Sequence, residues 1–289
     1  MKKGIFENIE HWTPPTLPAI IPYGDMPGDK VKIEKRHVEL ANVIFPRLLE
    51  KINERIKRLE RVEKLKRAEV DSEGLLEGLS KLKFVVSVYG GSGVGKSEVA
   101  SLLSYYFNQL QIGSYTLSGD NYPHRVPQEN DAKRLRVFEE GGEEALRNYL
   151  GTVKEINFEE IGGIIKEFKE KKDQISLKRM GREKSELWYD QVDFSNTNVL
   201  IVEWTHGNNK NLQGVDFPIF LSSTPAETLA HRRARNRDGA VDSEFTTLVL
   251  NIEQKLLESQ ATRAKMIVTK RGEFVSYDEY MEKIEKENL

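Results

Sequence analysis

The glycine-rich stretch Gly90–Ser97 constrains the fold more than any other part of the chain. It reads Gly-Gly-Ser-Gly-Val-Gly-Lys-Ser, which fits Gly-x-x-x-x-Gly-Lys-Ser, and it follows an apolar run, Phe84–Tyr89. The glycines let the backbone turn tightly with its N–H groups pointing inward, and the helix that follows adds the positive end of its dipole. The stretch therefore predicts a strand, a phosphate-binding loop (P-loop) and a helix, and with them nucleotide binding.

Within this loop, Lys96 is expected to reach the outer phosphates and Ser97 to offer its hydroxyl to Mg²⁺. The alternative is a glycine-rich turn with a solvated lysine, which the flanking strand and helix disfavour. The residues predicted to bind the nucleotide are Gly90, Gly91, Ser92, Gly93, Val94, Gly95, Lys96, Ser97 and Glu98.

Composition excludes several classes of protein. The 289 residues allow one large α/β domain with an appendage. The 44 basic and 46 acidic residues leave a net charge of −2, so no basic excess indicates a nucleic-acid partner. The absence of cysteine rules out disulfides and thiolate metal sites. Because no stretch approaches the roughly 18 apolar residues of a membrane span, we expect a cytoplasmic protein with no membrane partner.

Residues 1–80 are predicted to form an extension in front of a P-loop domain, residues 81–289. Five prolines between residues 11 and 29 exclude a regular helix and predict an extended arm, which Trp12 pins to the surface. From residue 31 to about 70, apolar residues recur every three or four positions and predict a helical stripe, divided into two helices by Pro46. Packing on the P-loop domain is the favoured interpretation, and pairing across a homodimer is the alternative.

Two acidic residues follow predicted strands. Asp120 comes after Ser114–Ser118, and Glu203 ends the apolar run Asn198–Val202. Parallel strands gather ligands at their carboxyl ends, so an acid beside the P-loop is suited to holding Mg²⁺. The alternatives are a capping aspartate in a turn and an acidic strand end that faces solvent.

An arginine-rich helix is predicted to begin at Pro225. Arg233 and Arg237 are four residues apart and share a helix face. Because guanidinium groups match phosphate oxygens, this segment predicts a mobile lid over the phosphates, with a solvated helix end as the alternative. Residues 131–190 are predicted to be mostly helical, with a basic turn at Lys178–Arg182.

The order of these features resembles the P-loop small-molecule kinases of the uridine kinase, phosphoribulokinase and pantothenate kinase group. The run Gly119-Asp120-Asn121-Tyr122-Pro123-His124 is similar to the Gly-Asp-Ser-Phe-His of phosphoribulokinases. The likeness covers about residues 82–270 and departs from the pattern at Pro123 and at Trp204-Thr205-His206-Gly207. It implies a doubly wound, mainly parallel α/β sheet with helices on both faces, and we predict the strand order 2-3-1-4-5.

The resemblance also implies a kinase that uses ATP and Mg²⁺ to phosphorylate a hydroxyl of a nucleoside, sugar, sugar phosphate or hydroxy acid. It makes Asp120 the catalytic base, aided by Lys96 and by lid residues Arg233 and Arg237. The implied metal ligands are Ser97, Glu203 and Asp120. Polar and aromatic residues near Asp120, together with the basic turn, are the candidates for acceptor contacts: Tyr122, His124, Arg125, Arg179 and Arg182.

The alternative class is a regulatory or sensory P-loop NTPase without a small-molecule acceptor. A GTPase is expected to carry Asn/Thr-Lys-x-Asp, whereas Thr269-Lys270-Arg271-Gly272 ends in glycine. An inactive sensor is expected to lose the loop lysine or the acids, and this chain has both. The sequence therefore favours an enzyme.

Overall fold

A six-stranded sheet forms the centre of the protein, whose computed structural model describes residues 9–29, 31–66, 82–235 and 243–287. The order is β2-β5-β1-β6-β7-β8, and all neighbours are parallel except β7 and β8. If the five parallel strands β1, β2, β5, β6 and β7 are numbered 1 to 5 along the chain, their order in the sheet is 2-3-1-4-5. The predicted order is therefore confirmed. The strands are β1 Phe84–Gly90, β2 Ser114–Ser118, β5 Val199–Glu203, β6 Phe217–Ser222, β7 Met266–Thr269 and β8 Phe274–Val275.

Helices cover both faces of this sheet, so the predicted α/β architecture is confirmed. Strands β1 and β5 are buried along their whole length, as expected when both faces of a parallel sheet are covered. In one hydrophobic core, α1 and α2 pack on one face of the sheet. In the second core, α4 packs on the other face. The helices are α1 Lys35–Lys66, α2 Lys96–Gln109, α3 Pro127–Arg147, α4 Phe158–Lys169, α5 Pro225–Arg235, α6 Glu244–Ala261 and α7 Tyr277–Glu287.

The prediction of a mostly helical segment at residues 131–190 is wrong for its last part. Strands β3, Gln174–Met180, and β4, Leu187–Asp193, form an antiparallel hairpin outside the main sheet. Most of the predicted basic turn therefore lies in β3. Alternation of buried and exposed residues over so short a run is a weak signal beside the helical pattern that precedes it.

Helix α1 runs through Pro46, so the predicted division into two helices is also wrong. Ile44, Phe45, Leu48 and Leu49 are fully buried around the proline. Burying each such side chain contributes about 1.5–3 kcal/mol, which together exceeds the roughly 3 kcal/mol that an interior proline costs. The stripe packs in the same core as α2 and β1, which confirms the expected packing on the P-loop part of the chain.

The proline-rich arm lies along α2 and the edge strand β2. The ring centroid of Trp12 lies 4.8 Å from that of Phe45 and 5.3 Å from that of Tyr106, so the predicted anchoring role of Trp12 is confirmed. Further along the arm, Gly24 packs against Thr116 of β2. The arm therefore covers the edge of the sheet that β2 leaves unpaired.

Among the described residues, no helix has both the length and the apolar character that crossing a bilayer requires.

Truncation of the α1 stripe tests its place in the core. Leu48 is fully buried, whereas Val62 on the same helix is 50% exposed. We expect Leu48→Ala to lower the free energy of unfolding by about 2–5 kcal/mol because it leaves a cavity. The control Val62→Ala should change it by less than about 0.5 kcal/mol. Urea denaturation measures both, and equal small effects would contradict this packing.

Candidate active site

Three adjacent strands bring the predicted site residues to one edge of the sheet. Strand β5 lies between β1 and β2, and Glu203 at its end is paired with Val88 and with Ser118. The P-loop follows β1, and Asp120 lies in the short 3-10 turn after β2. The P-loop, Asp120 and Glu203 therefore share the carboxyl edge, where open α/β sheets bind their ligands.

The P-loop has the backbone geometry that its glycines predict. Gly93 and Gly95 have φ of +78° and +104°, in the left-handed region that favours glycine. Gly95 is also the N-cap of α2, so the first N–H groups of the helix face the loop. The Lys96 ammonium donates a hydrogen bond to the Gly91 carbonyl at 3.2 Å. These groups form a preorganised nest for phosphate oxygens.

Helices α1 and α5 pack against the P-loop. A Cβ on Gly93 would lie 2.8 Å from Arg232 of α5, and a Cβ on Gly95 would lie 2.8 Å from the ring of His37 of α1. His37 is fully buried, and this burial lowers its pKa to about 4. Its Nε2 has no hydrogen-bond partner among the described residues. The extension thus contributes a neutral imidazole to the wall of the loop.

Glu203 is a buried carboxyl at the centre of the site. Its pKa is raised to about 7, first by burial and then by the negative charges of Asp120, Asp29 and Glu98, while Lys96 acts in the opposite direction. The pKa of Glu203 therefore depends on charges in the P-loop helix, the turn after β2 and the N-terminal arm. Side chains far apart in the sequence converge on this carboxyl.

Trp204 packs against the turn that carries Asp120. The indole lies against the Cα of Gly119, so that any larger residue at position 119 would overlap the ring. Trp204 packs in turn on Phe158, with ring centroids 5.4 Å apart. Asp120 itself is exposed. The departure at Trp204 from the family pattern thus has a structural role, which is to support the turn.

A second cluster of charges, partly or fully buried, lies near the site. Arg134 of α3 lies 2.5 Å from the Glu155 carboxylate and 3.9 Å from that of Glu253 on α6. His206 is buried near the same groups, and burial lowers its pKa to about 4. Sequence reasoning missed Glu155, Glu253 and His206, because no motif marks an ion pair whose partners are far apart in the chain.

Two of the predicted acceptor residues, Tyr122 and Arg179, are buried. Tyr122 is fully buried in the core that contains Trp204. Arg179 is 7% exposed, and its guanidinium is paired with Asp25 at 2.7 Å and with Asp190 at 3.0 Å. The guanidinium of Arg179 is thus occupied by two carboxylates, and contacts of Arg179 and Tyr122 with the acceptor stay a prediction.

The remaining acceptor candidates lie at the surface. His124 is exposed, with Nε2 3.0 Å from the Val153 carbonyl oxygen. Arg125 donates to the Tyr149 hydroxyl at 3.1 Å and lines a groove of about 380 Å³. Arg182 is exposed just after β3. These three keep their place as candidates for acceptor contacts.

Only part of the predicted lid lies within the described residues. Arg233 is exposed on α5, and Arg237 lies outside the described residues. The arginine that packs on the P-loop is Arg232, which was not among the predicted site residues. Its guanidinium donates hydrogen bonds to the Pro225 carbonyl at 2.8 Å and to the Thr228 hydroxyl at 2.6 Å. Adjacent arginines give the same compositional signal, so the pattern did not indicate which one faces the loop.

Comparison with solved structures defines the class of fold. Phosphoribulokinase from Rhodobacter spheroides superposes with a TM-score of 0.51 at 16% identity, over 65% of this chain and 70% of that chain. The chain therefore has the fold of the P-loop kinases related to phosphoribulokinase, and the resemblance drawn from its motifs is confirmed. No protein-family model matches the chain.

A curated relative gives a more specific comparison. The chain is 47% identical over 196 residues to the bifunctional alpha-galactosidase/sucrose kinase AgaSK of Mediterraneibacter gnavus. The match covers 68% of this chain and 21% of the relative. The chain thus spans about a fifth of the length of the curated relative that it matches.

The buried imidazole of His206 predicts a loss of stability in acid. Its pKa is about 4 in the folded protein, below the usual value of 6.5, so the unfolded chain binds the extra proton. The free energy of unfolding should fall as the pH drops from about 6.5 to 4, by up to about 1.4 kcal/mol per pH unit for this residue. His206→Asn should give a correspondingly shallower slope in urea titrations across this range. Parallel slopes for the two proteins would contradict the prediction.

Proposed function

We propose that this protein is an ATP-dependent kinase that transfers the γ-phosphate to a hydroxyl of a small sugar, with sucrose as the first candidate. The observation that carries the proposal is the convergence of Lys96, Asp120 and Glu203 at one edge of the sheet, beside a P-loop. These groups supply a phosphate clamp, a proton acceptor and an acidic metal ligand, which are the parts that phosphoryl transfer needs.

The sugar class is supported by the curated relative, whose name combines a galactosidase with a sucrose kinase. Glycoside hydrolysis requires two carboxyl groups and no nucleotide. This chain carries a P-loop, which only the kinase activity needs. The shared 196 residues therefore favour the kinase as the related activity and sucrose as the acceptor to test first.

The site residues have separate tasks in this mechanism. The P-loop N–H groups and Lys96 hold the β- and γ-phosphates, and the acceptor hydroxyl lies in line with the γ-phosphate. Asp120 orients this hydroxyl and takes its proton. Arginines of α5 neutralise charge on the transferred group as the lid closes.

Oxygen donors at the site fit a magnesium ion. Ser97, Glu203 and Asp120 offer one hydroxyl and two carboxyl groups, and Mg²⁺ in nucleotide sites takes one or two carboxylates together with phosphate oxygens. In the part of the chain that the structure describes, no group of three or more His, Cys, Asp or Glu side chains is placed to hold a metal alone. Bound there, the ion would neutralise charge on the β- and γ-phosphates.

Release of ADP with and without sugars tests the function. With ATP and Mg²⁺, we expect ADP release to depend on the acceptor, and sucrose to be preferred over glucose, fructose and uridine. Mass spectrometry should detect a phosphorylated sugar. ADP release at one rate with every acceptor and with none would favour the regulatory NTPase instead.

Replacement of the proposed base tests the mechanism. Asp120→Asn should lower kcat by about 10²–10⁴-fold because general base catalysis is lost. Affinity for ATP, measured by calorimetry without Mg²⁺, should change little because the P-loop contacts remain. Asp278→Asn, an exposed acid on α7, is the matched control and should behave as the unmodified protein. Unchanged turnover in Asp120→Asn would remove this residue from the mechanism.

A further inference from the structure

The N-terminal arm contains a buried carboxylate with four donors. The Asp25 side chain is 7% exposed. Its Oδ1 accepts from the Ser118 N–H at 2.7 Å and, more weakly, from the Asn121 amide at 3.4 Å. Its Oδ2 accepts from the Tyr115 hydroxyl at 3.0 Å and from the Arg179 guanidinium at 2.7 Å. Strand β2, the turn after it and strand β3 thus meet at one side chain of the arm.

These contacts surround Asp120 in the sequence. Ser118 comes two residues before it and Asn121 one residue after it, so that Asp25 touches both sides of the 3-10 turn Gly119–Asn121. The Asn121 side chain also accepts from the Met180 N–H of β3 at 3.1 Å. The turn is therefore fixed at both ends by groups outside it, while the Asp120 side chain is exposed.

We infer that Asp25 is a positioning residue for phosphoryl transfer, which makes the N-terminal arm part of the active site. Asp25 holds the turn so that the Asp120 carboxylate faces the acceptor hydroxyl. A shift of about 1 Å in such a group can cost about 10²-fold in rate. This inference rests on the proposed function, because Asp120 is the group through which Asp25 acts.

Charge explains why the residue is an aspartate. Arg179 is buried between the arm and the hairpin, and a buried guanidinium requires a negative partner. Asp190 provides one carboxylate, but its side chain is 47% exposed. Asp25 provides the buried one and also accepts from the Ser118 N–H. An asparagine has nearly the same shape but offers one acceptor oxygen instead of two and carries no charge.

The experiment compares Asp25→Asn with Asp190→Asn in the full chain. Both variants remove a carboxylate from Arg179, but only the first changes a side chain that contacts the turn that carries Asp120. With ATP, Mg²⁺ and the best sugar, Asp25→Asn should lower kcat by 10- to 100-fold and leave the KM for ATP within two-fold. Asp190→Asn should keep kcat within two-fold. Unchanged kcat in Asp25→Asn would overturn the inference.

A double variant separates positioning from general damage. If Asp25 acts only through Asp120, the variant carrying both Asp25→Asn and Asp120→Asn should be no slower than Asp120→Asn alone. A further loss equal to that of Asp25→Asn in the unmodified protein would show that the two residues act independently and would overturn the inference.

Hydrogen exchange provides a readout that does not require activity. The Ser118 N–H is bonded to Asp25, so the peptide covering residues 118–122 should exchange faster in Asp25→Asn and at the original rate in Asp190→Asn. Equal exchange in all three proteins would overturn the inference even if no sugar is phosphorylated, whereas faster exchange without any kinase activity would remove only the proposed function. If Asp25→Asn does not fold, Tyr115→Phe removes one donor to the same carboxylate and should show the same pattern on a smaller scale.

Discussion

The position of β5 between β1 and β2 is the constraint on which the site depends. Its residues are buried on both faces, and a shift of one residue would exchange the side chains that face the two cores. Hydrophobic packing thus fixes the register, and the register places Glu203 beside Val88 and Ser118. The geometry of the proposed site follows from the same contacts that stabilise the sheet.

Buried carboxyl groups in this protein fall into two kinds. Glu155 and Asp25 each have a guanidinium within hydrogen-bond distance. Glu203 has no ion pair within 4.0 Å among the described side chains, and its pKa is raised to about 7. A buried acid without such a partner is costly to ionise. The site around Glu203 is therefore suited to a cation that arrives with the nucleotide, which is what the proposed function requires.

Local signals predicted the strands and the residues Lys96, Asp120 and Glu203 at or after their ends, because a loop motif and apolar runs lie in short segments of sequence. The order of the strands was predicted together with the resemblance to the P-loop kinases. The burial and the pairing of Arg179 and Asp25 were not predicted. Arg179 looked like part of a surface turn because its partner Asp25 is 154 residues away in the sequence. Asp25 itself is one acid among prolines, with no periodicity or motif to mark it. Contacts of this range become visible only when the fold brings the segments together.

The extension changes how the site should be understood. Its helix enters the core, His37 lies against Gly95, and Asp25 holds the turn that carries the proposed base. The loop and the turn are thus each braced by a segment that precedes the P-loop in the chain. Because the arm covers the edge strand without joining the sheet, its sequence can change without disturbing strand register. Differences in how the turn is held can therefore arise in the arm without any change in the sheet.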